Sequence, residues 1–412
     1  MDVNQPLSLL AGLTPAQFMR RHWQKKPLLV RQAIAGMQPF LSRAALVKLA
    51  AQEQVESRLI AWKEKGWALK KGPFGPKTLP PLSQAGWTLL VQGVDLHEPA
   101  GHALLQQFRF VPDARLDDLM ISFATTGGGV GPHFDSYDVF LLQASGRRRW
   151  KIGRQKDLSL QEGVPLKILQ NFVAEEEFVL EAGDMLYLPP GYAHDGVAEA
   201  SVGPDGKPAD CMTYSIGFRC PAQAEMTADL LHRLAEMEED AAETQAQEGG
   251  GPVVLKRMYR DPAQAATDTP AAMPEGLAAF ARLAVLEALK NPLALACALG
   301  ECMSEPKPGV WFDEPEQAWD PEAAKAGRTR VALDARTRML YDSDHVFING
   351  ESYRAKGADA RLMQRLANQR HLDAQDVRKA GQSAIDLLGD WQEAGWLVQE
   401  ASAPSPRKIG RP

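Results

Sequence analysis

Short apolar runs separated by Gly-, Pro- and Asp-containing turns occupy the chain from about residue 28 to residue 218. Runs of this length, bounded by turn residues, are typical of β-strands. The main predicted strands are Trp87–Val94, Asp117–Thr125, Tyr137–Ala144, Arg148–Ile152, Glu177–Leu180, Met185–Leu188 and Met212–Phe218. Many short strands in succession predict an all-β barrel or jelly roll of the cupin kind.

After Cys220 the apolar residues recur with helical spacing. One predicted helix carries Met226, Leu230, Leu231 and Leu234 on one face, and a second carries Leu277, Phe280, Leu283, Leu286 and Leu289. We expect an α-helical dimerisation region over 222–302 and a homodimer. The alternative is that both helices pack on their own barrel. The Gln-, Glu- and Gly-rich stretch 240–251 between them has the composition of a mobile segment.

The pattern changes again over 303–400. A strand at 328–333 and a hairpin around Asn349-Gly350 are followed by helical periodicity at 358–366 and 383–394. This order predicts a C-terminal winged-helix-like domain, after a catalytic domain at 1–221. Its helices carry few adjacent basic residues, so we expect no direct nucleic-acid binding. The tail 401–412 is predicted to be disordered.

Polar residues interrupt the strand pattern at His133 and Asp135. Residues two apart in a strand point to the same face, so this imidazole and carboxylate can reach one metal together. A Pro-Pro-Gly corner delivers His194 as a third ligand 59 positions after Asp135. Two histidines and one carboxylate form the facial triad of non-heme Fe(II) oxygenases. The alternative is that these are hydrogen-bonded core or turn residues.

Arg148 is the expected partner of an anion. A tight hairpin at Ser145-Gly146 would place Gln143 opposite Arg148 and turn Arg148 into the barrel, with Arg147 and Arg149 pointing outward. An inward guanidinium needs a negative partner. A diffusible carboxylate cosubstrate would supply it, and a salt bridge to a core Asp or Glu is the alternative.

The strand 117–125 has Asp118, Met120 and Ser122 on one face, where Ser122 can donate a hydrogen bond to a cosubstrate carboxylate. Three connections are predicted around the barrel. Residues 62–81 form a surface loop or edge hairpin, either bordering the site or simply connecting strands. Residues 165–176 are a surface excursion, and 199–209 are a flexible loop.

Composition narrows the functional class. The net charge of −6 over 412 residues disfavours a dominant electrostatic nucleic-acid binder and suits a basic protein partner. The start of the chain lacks a signal-peptide pattern and no apolar segment reaches membrane-spanning length, so we expect a cytoplasmic protein without a membrane partner. The four cysteines lack metal-ligand or disulfide spacing and are expected to be reduced thiols.

The segments DDLMISFATTGGGVGPHFDSYDVFLLQASGRRRW, PPGYAHDG and TYSIGFR, with the opening FMRRHWQKKPLLVRQA, resemble the JmjC-type ribosomal oxygenases. The resemblance is specifically to bacterial arginine hydroxylases that act on the sixteenth protein of the large ribosomal subunit. It is close over about 14–220 and looser thereafter. It implies a JmjC double-stranded β-helix, Fe(II) bound by His133, Asp135 and His194, and 2-oxoglutarate bound through Arg148 and Ser122.

These observations together predict an Fe(II)- and 2-oxoglutarate-dependent dioxygenase that uses O2 to hydroxylate an arginine of a basic large-subunit ribosomal protein. Asp118 and Tyr137 would contact the substrate guanidinium, or else form a core hydrogen-bonding pair. Two alternatives remain, a histidyl hydroxylase of a ribosomal protein and a catalytically silent, metal-binding cupin that acts as a sensor or scaffold. Demethylation of N-methyl-lysine is disfavoured because no aromatic cage is evident.

Overall fold

The computed structural model describes residues 2–63, 66–203, 206, 208–247, 258–266, 268–354 and 356–401. The chain divides into two compact units, Met1–Cys220 and Pro221–Pro412. Two predictions lie partly outside the described residues. They are the disordered tail 401–412, of which 402–412 are not described, and the mobile stretch 240–251, of which 248–251 are not described. The finer division at 302/303 stays a prediction.

The first unit is mainly β. Its helices are α1 (Pro15–Arg21), α2 (Arg43–Ala50) and α3 (Pro99–Gln106). Its strands are β1 (Leu28–Val30), β2 (Ser57–Lys63), β3 (Gly66–Lys71), β4 (Trp87–Val91), β5 (Leu116–Ala124), β6 (Val139–Ser145), β7 (Arg147–Gly153), β8 (Glu176–Leu180), β9 (Met185–Leu188), β10 (Ala193–Glu199) and β11 (Cys211–Phe218). The barrel and jelly-roll prediction is confirmed.

Two sheets face each other in this unit. The large sheet has the order β1-β9-β6-β11-β5-β4-β2-β3, and the small sheet has the order β10-β7-β8. Alternation along β6 assigns the two faces, since Phe140 and Leu142 join the outer core while Val139 and Leu141 pack against the small sheet. The space between the sheets holds the polar residues that the sequence singled out.

The N-terminal helices cover the outer face of the large sheet. Thr14 caps α1 and forms a capping box with Gln17, which satisfies amide groups at the helix start. Phe18 is fully buried within an aromatic cluster. The helix ends at Arg21.

The predicted hairpin between β6 and β7 is wrong. Strand β6 hydrogen-bonds to β9 and β11, whereas β7 hydrogen-bonds to β8 and β10. Gly146, with φ of +66°, therefore turns the chain from one sheet to the other. Gln143 pairs with Thr213 and Arg148 pairs with Ala198 and Leu180. The expected strand from Tyr137 begins only at Val139, after a bend at 136–137.

Two of the predicted connections turn out to be structured. Residues 66–71 form β3, so the edge-hairpin interpretation of 62–81 is confirmed. Residues 165–176 are largely exposed, as the surface-excursion prediction expected, but Ile168 and Leu169 are buried. A backbone hydrogen bond from Leu169 N to Pro132 O, 2.8 Å long, holds this excursion against the segment before His133.

The second unit begins with helices and ends with a winged-helix arrangement. Its helices are α4 (Gln223–Gln247), α5 (Glu275–Ala288), α6 (Pro292–Ser304), α7 (Pro321–Lys325), α8 (Gly357–Gln369), α9 (Ala374–Val377) and α10 (Gln382–Glu393). Its strands are β12 (Thr329–Leu333), β13 (Met339–Tyr341), β14 (His345–Ile348), β15 (Glu351–Arg354), β16 (His371–Leu372) and β17 (Leu397–Ala401). The winged-helix prediction is confirmed.

The two predicted apolar faces of the helical region behave differently. Helix α4 packs on α6, within the second unit, and buries Leu234. Helix α5 buries none of its residues. Among the described helices none alone is long and apolar enough to cross a membrane, although α5 and α6 meet those criteria as a pair bent by 76°.

Candidate active site

His133, Asp135 and His194 converge at one end of the barrel. Residues 127–133 run antiparallel to β10, and His133 and His194 exchange backbone hydrogen bonds of 3.0 and 2.8 Å. The two imidazole rings are 4.3 Å apart between centroids. One ligand atom from each of the three side chains lies within 4.8 Å of the others. The spacing argument from the sequence therefore placed the three side chains together correctly.

The backbone orients both imidazoles. His133 Nδ1 lies 2.8 Å from Gly131 O, and His194 Nδ1 lies 3.0 Å from Tyr192 O. Because a carbonyl only accepts, each Nδ1 donates its proton and each Nε2 keeps a lone pair. Burial and the neighbouring His133 lower the pKa of His194 to about 4, which keeps this imidazole neutral at physiological pH. Both rings are thus prepared to ligate a cation.

A metal fits this cluster better than a hydrogen-bonded core does. His194 Nε2 and Asp135 Oδ2 are 3.7 Å apart, which is too long for a hydrogen bond between them. Ligand atoms at ~2.1 Å from a shared ion lie ~3 Å from one another, so small side-chain movements would complete the coordination. Two imidazoles and one carboxylate are the donor set of the facial triad.

Arg148 is buried in the barrel interior, with 3% of its surface exposed. Its Nη1 donates a 3.3 Å hydrogen bond to Gly196 O, whereas Nε and Nη2 have no partner within the described chain. No described carboxylate forms an ion pair with it, so the salt-bridge alternative has no support. A buried cation with two unsatisfied nitrogens is costly, and an anion from outside would satisfy both.

The neighbours of Arg148 behave as strand alternation requires. Arg147 pairs with Glu181 and Glu199, and Arg149 pairs with Glu177 and Glu199, on the outer face of the small sheet. The inward direction of Arg148 is therefore confirmed, although the hairpin from which it was predicted does not exist.

Trp150 and Gly196 lie between Arg148 and the histidines. In the pairing of β7 with β10, Gly196 faces Trp150, His194 is one step beyond on the same face, and Ala198 faces Arg148. The Trp150 ring is 5.7 Å from the His194 ring and 5.8 Å from the Arg148 guanidinium. A Cβ on residue 196 would lie 2.4 Å from the indole, so only glycine fits. Sequence reasoning missed both residues.

Ser122 belongs to a polar row across the large sheet. Thr213 pairs with Ser122 on one side and with Gln143 on the other. Ser122 Oγ donates a long 3.4 Å bond to Thr213 O, and Thr213 Oγ1 donates to Gln143 Oε1 at 2.9 Å. Ser122 is therefore in the barrel interior, and its hydroxyl is weakly committed to the backbone.

Asp118 and Tyr137 lie near the triad. Burial, Asp135 and Asp118 raise the pKa of Tyr137, whose hydroxyl donates a hydrogen bond to Asp135. Asp118 is buried, and its Oδ2 accepts a 3.1 Å bond from Gly93 N. Tyr137 keeps 38% of its surface exposed. An acidic group and an accessible aromatic ring therefore lie within electrostatic range of each other beside the candidate metal ligands.

Comparisons with known proteins agree with this geometry. The JmjC domain family matches residues 103–226, and the ROXA-like winged helix family matches residues 287–398. The chain is 34% identical over 343 residues to the ribosomal protein uL16 3-hydroxylase of Escherichia coli K12, covering 81% of this chain and 84% of that protein.

Solved structures of E. coli YcfD are similar over both units. One superposes with a TM-score of 0.74 at 31% identity, covering 94% of this chain and 98% of that one. YcfD, described as a ribosomal oxygenase in complex with cobalt and 2-oxoglutarate, gives a TM-score of 0.71 at 30% identity, covering 94% and 99%.

Proposed function

The chain belongs to the family of JmjC ribosomal oxygenases, and we propose that it is an Fe(II)- and 2-oxoglutarate-dependent hydroxylase of an arginine in a large-subunit ribosomal protein. The buried Arg148 with two unpaired nitrogens carries the proposal, because it provides a carboxylate site in the same interior as the triad. A catalytically silent cupin would not need the triad and the inward Arg148 together. The YcfD complex with cobalt and 2-oxoglutarate supports binding of a metal ion together with 2-oxoglutarate.

Each residue group has a separate task in this proposal. His133, Asp135 and His194 would hold the metal through two imidazoles and one carboxylate. Arg148 and Ser122 bind and orient the distal carboxylate of 2-oxoglutarate. Trp150 limits the access of water to the space between Arg148 and the histidines. Bound Fe(II) would supply the activation of O2, with 2-oxoglutarate as the source of two electrons.

The proposed reaction class is tested by measuring whether succinate formation is coupled to hydroxylation of the protein substrate. Purified protein, Fe(II), 2-oxoglutarate and air should form succinate slowly alone and much faster with the sixteenth large-subunit ribosomal protein. Succinate and hydroxylated product should form in equal amounts. Succinate formation that never responds to any ribosomal protein would contradict the proposed substrate, and no succinate under any condition would contradict the enzyme class.

Three observations support an arginine substrate. The chain is acidic overall, which suits a basic protein. Asp118 can pair with a guanidinium, and the exposed ring of Tyr137 can lie against it. The E. coli relative is named for a 3-hydroxylase activity on uL16. A histidine substrate would have no comparable need for a buried carboxylate beside an aromatic ring.

Replacing Asp118 by Asn should raise the KM for an arginine-containing ribosomal peptide by about tenfold or more, because a buried charge-assisted hydrogen bond is lost. Slow succinate formation without peptide should change less than twofold. Asp117→Asn is the matched control, since Asp117 pairs instead with Arg219. Equal KM values for the two variants would remove Asp118 from the substrate site.

We also propose that the protein is a homodimer that associates through α5. Leu283 and Leu286 are each 53% exposed, and Leu277, Phe280 and Leu289 extend the apolar face. A contiguous apolar face on a soluble protein marks an interaction site, and a second copy brings an identical face to cover it. As an enzyme of ribosomal proteins, the dimer is proposed to act in the cytoplasm.

Light scattering at micromolar concentration should give about twice the 45.1 kDa mass of one chain. The double variant Leu283→Glu and Leu286→Glu should shift this to the monomer mass, because two desolvated carboxylates oppose association. Trp311→Glu, which alters an exposed apolar residue elsewhere in the second unit, should remain dimeric. A monomeric native protein would contradict the dimer.

A further inference from the structure

A tryptophan on β3, the edge strand of the large sheet, contacts the segment that carries His133. Trp67 lies on β3, and a Cβ built on Gly131 would lie 2.6 Å from Trp67 Cζ2 and 2.8 Å from Ile168 Cδ1. Both side chains therefore pack closely against the α-carbon of Gly131. Gly131 has φ of +79°, a conformation that glycine adopts without strain.

Gly131 connects directly to the orientation of a candidate metal ligand. Its carbonyl oxygen accepts the 2.8 Å hydrogen bond from His133 Nδ1. On the next residue, Pro132 O accepts from Leu169 N at 2.8 Å. Residues 131 and 132 are thus fixed by a ring, a methyl group and a backbone hydrogen bond, and the Gly131 carbonyl in turn fixes the tautomer and the ring plane of His133.

We propose that Trp67 is a positioning residue for the metal ligand His133, acting with Ile168 through Gly131. This role explains why the sheet continues to β3, beyond the strands that form the barrel interior. The inference rests on the proposed metal site. Partners that orient a ligating histidine typically contribute ~10- to 100-fold to metal affinity, so the loss of Trp67 should be measurable in the absence of turnover.

Trp62 provides a matched control. It packs on Trp67 with ring centroids 5.0 Å apart and is paired with it across the β2–β3 hairpin, yet it is 57% exposed. Only Trp67 is placed against Gly131. Trp62→Ala and Trp67→Ala therefore remove the same residue type from the same hairpin, and they differ in contact with the His133 segment.

The experiment is a titration of full-length protein with Co(II) in the presence of 2-oxoglutarate, followed by visible absorption. Trp67→Ala should weaken Co(II) binding about tenfold, while Trp62→Ala stays within twofold of the natural protein. Thermal melting of the metal-free variants should fall by similar amounts. At saturating metal, the KM for 2-oxoglutarate should be unchanged, because Arg148 is untouched.

Two further variants test the same contact in case the Trp67→Ala protein does not fold. Ile168→Val removes only the Cδ1 methyl group and should weaken Co(II) binding by a smaller, detectable factor. Gly131→Ala should weaken it strongly, and adding Trp67→Ala to Gly131→Ala should cost less than the two separate effects together, because both act on one contact.

Equal Co(II) affinity of Trp67→Ala and the natural protein would overturn the inference, as would equal losses in Trp67→Ala and Trp62→Ala. If the natural protein itself failed to bind Co(II), the proposed metal site would fall instead, and the two failures are therefore distinguishable.

Discussion

Replacing His133 by Ala is expected to lower 2-oxoglutarate-dependent turnover by at least about 1000-fold, because the metal centre supplies the chemistry of the reaction. The same loss is expected for Asp135→Ala and His194→Ala. The barrel should remain folded, since the three side chains lie outside its apolar cores. Succinate formation, Co(II) titration and thermal melting measure the three properties separately.

His232→Ala is the control for this prediction, because His232 is an exposed histidine on α4. It should retain full turnover and metal binding. Normal turnover in any of the three triad variants would show that the metal is held elsewhere or that none is used.

Replacing Arg148 by Ala should raise the KM for 2-oxoglutarate by roughly 100-fold, with metal affinity unchanged. A desolvated guanidinium–carboxylate contact contributes about 3 kcal/mol, which corresponds to that factor. Arg148→Lys should recover part of the loss, since an ammonium keeps the charge and lacks the forked geometry.

Arg147→Ala and Arg149→Ala are matched controls on the same strand. Both side chains are on the outer face, paired with exposed or half-buried glutamates, and such pairs contribute little. Their KM values for 2-oxoglutarate should stay within twofold of the natural protein. Comparable increases at all three positions would mean that the anion does not bind in the barrel interior.

The sequence was sufficient to bring the three candidate metal ligands together because each is positioned by local geometry. His133 and Asp135 are two positions apart, and the Pro-Pro-Gly corner fixes where His194 starts its strand. Similarly, alternation within β7 alone decides that Arg148 is buried while its neighbours are exposed. The direction of Arg148 was therefore predicted correctly although the hairpin used to predict it is absent, because alternation along β7 places Arg148 on the same buried face.

The partners of strands β6 and β7 could not be predicted from local sequence. A Ser-Gly turn joins β6 and β7 whether they form a hairpin or enter two different sheets, and only long-range contacts with β9, β10 and β11 select the second arrangement. Trp150 and Gly196 were missed for this reason, because they matter only once β7 and β10 are known to be adjacent. An inward tryptophan two positions from Arg148 was the available signal.

Non-local packing also explains why two residues are buried within the surface excursion 165–176. Most of the segment is exposed, yet Ile168 and Leu169 are buried because the His133 segment provides a surface for them. Trp67 was likewise assigned to a connection on composition. Its importance depends on the positive φ of Gly131, which the Gly-rich sequence permits but does not specify.

The most direct test of the central claim is tandem mass spectrometry of a peptide carrying the target loop of the sixteenth large-subunit ribosomal protein. After incubation with enzyme, Fe(II), 2-oxoglutarate and air, one oxygen atom should be found on a side-chain carbon of arginine, and it should be absent without 2-oxoglutarate. Oxygen on histidine, or unmodified peptide despite rapid succinate formation, would contradict the arginine assignment.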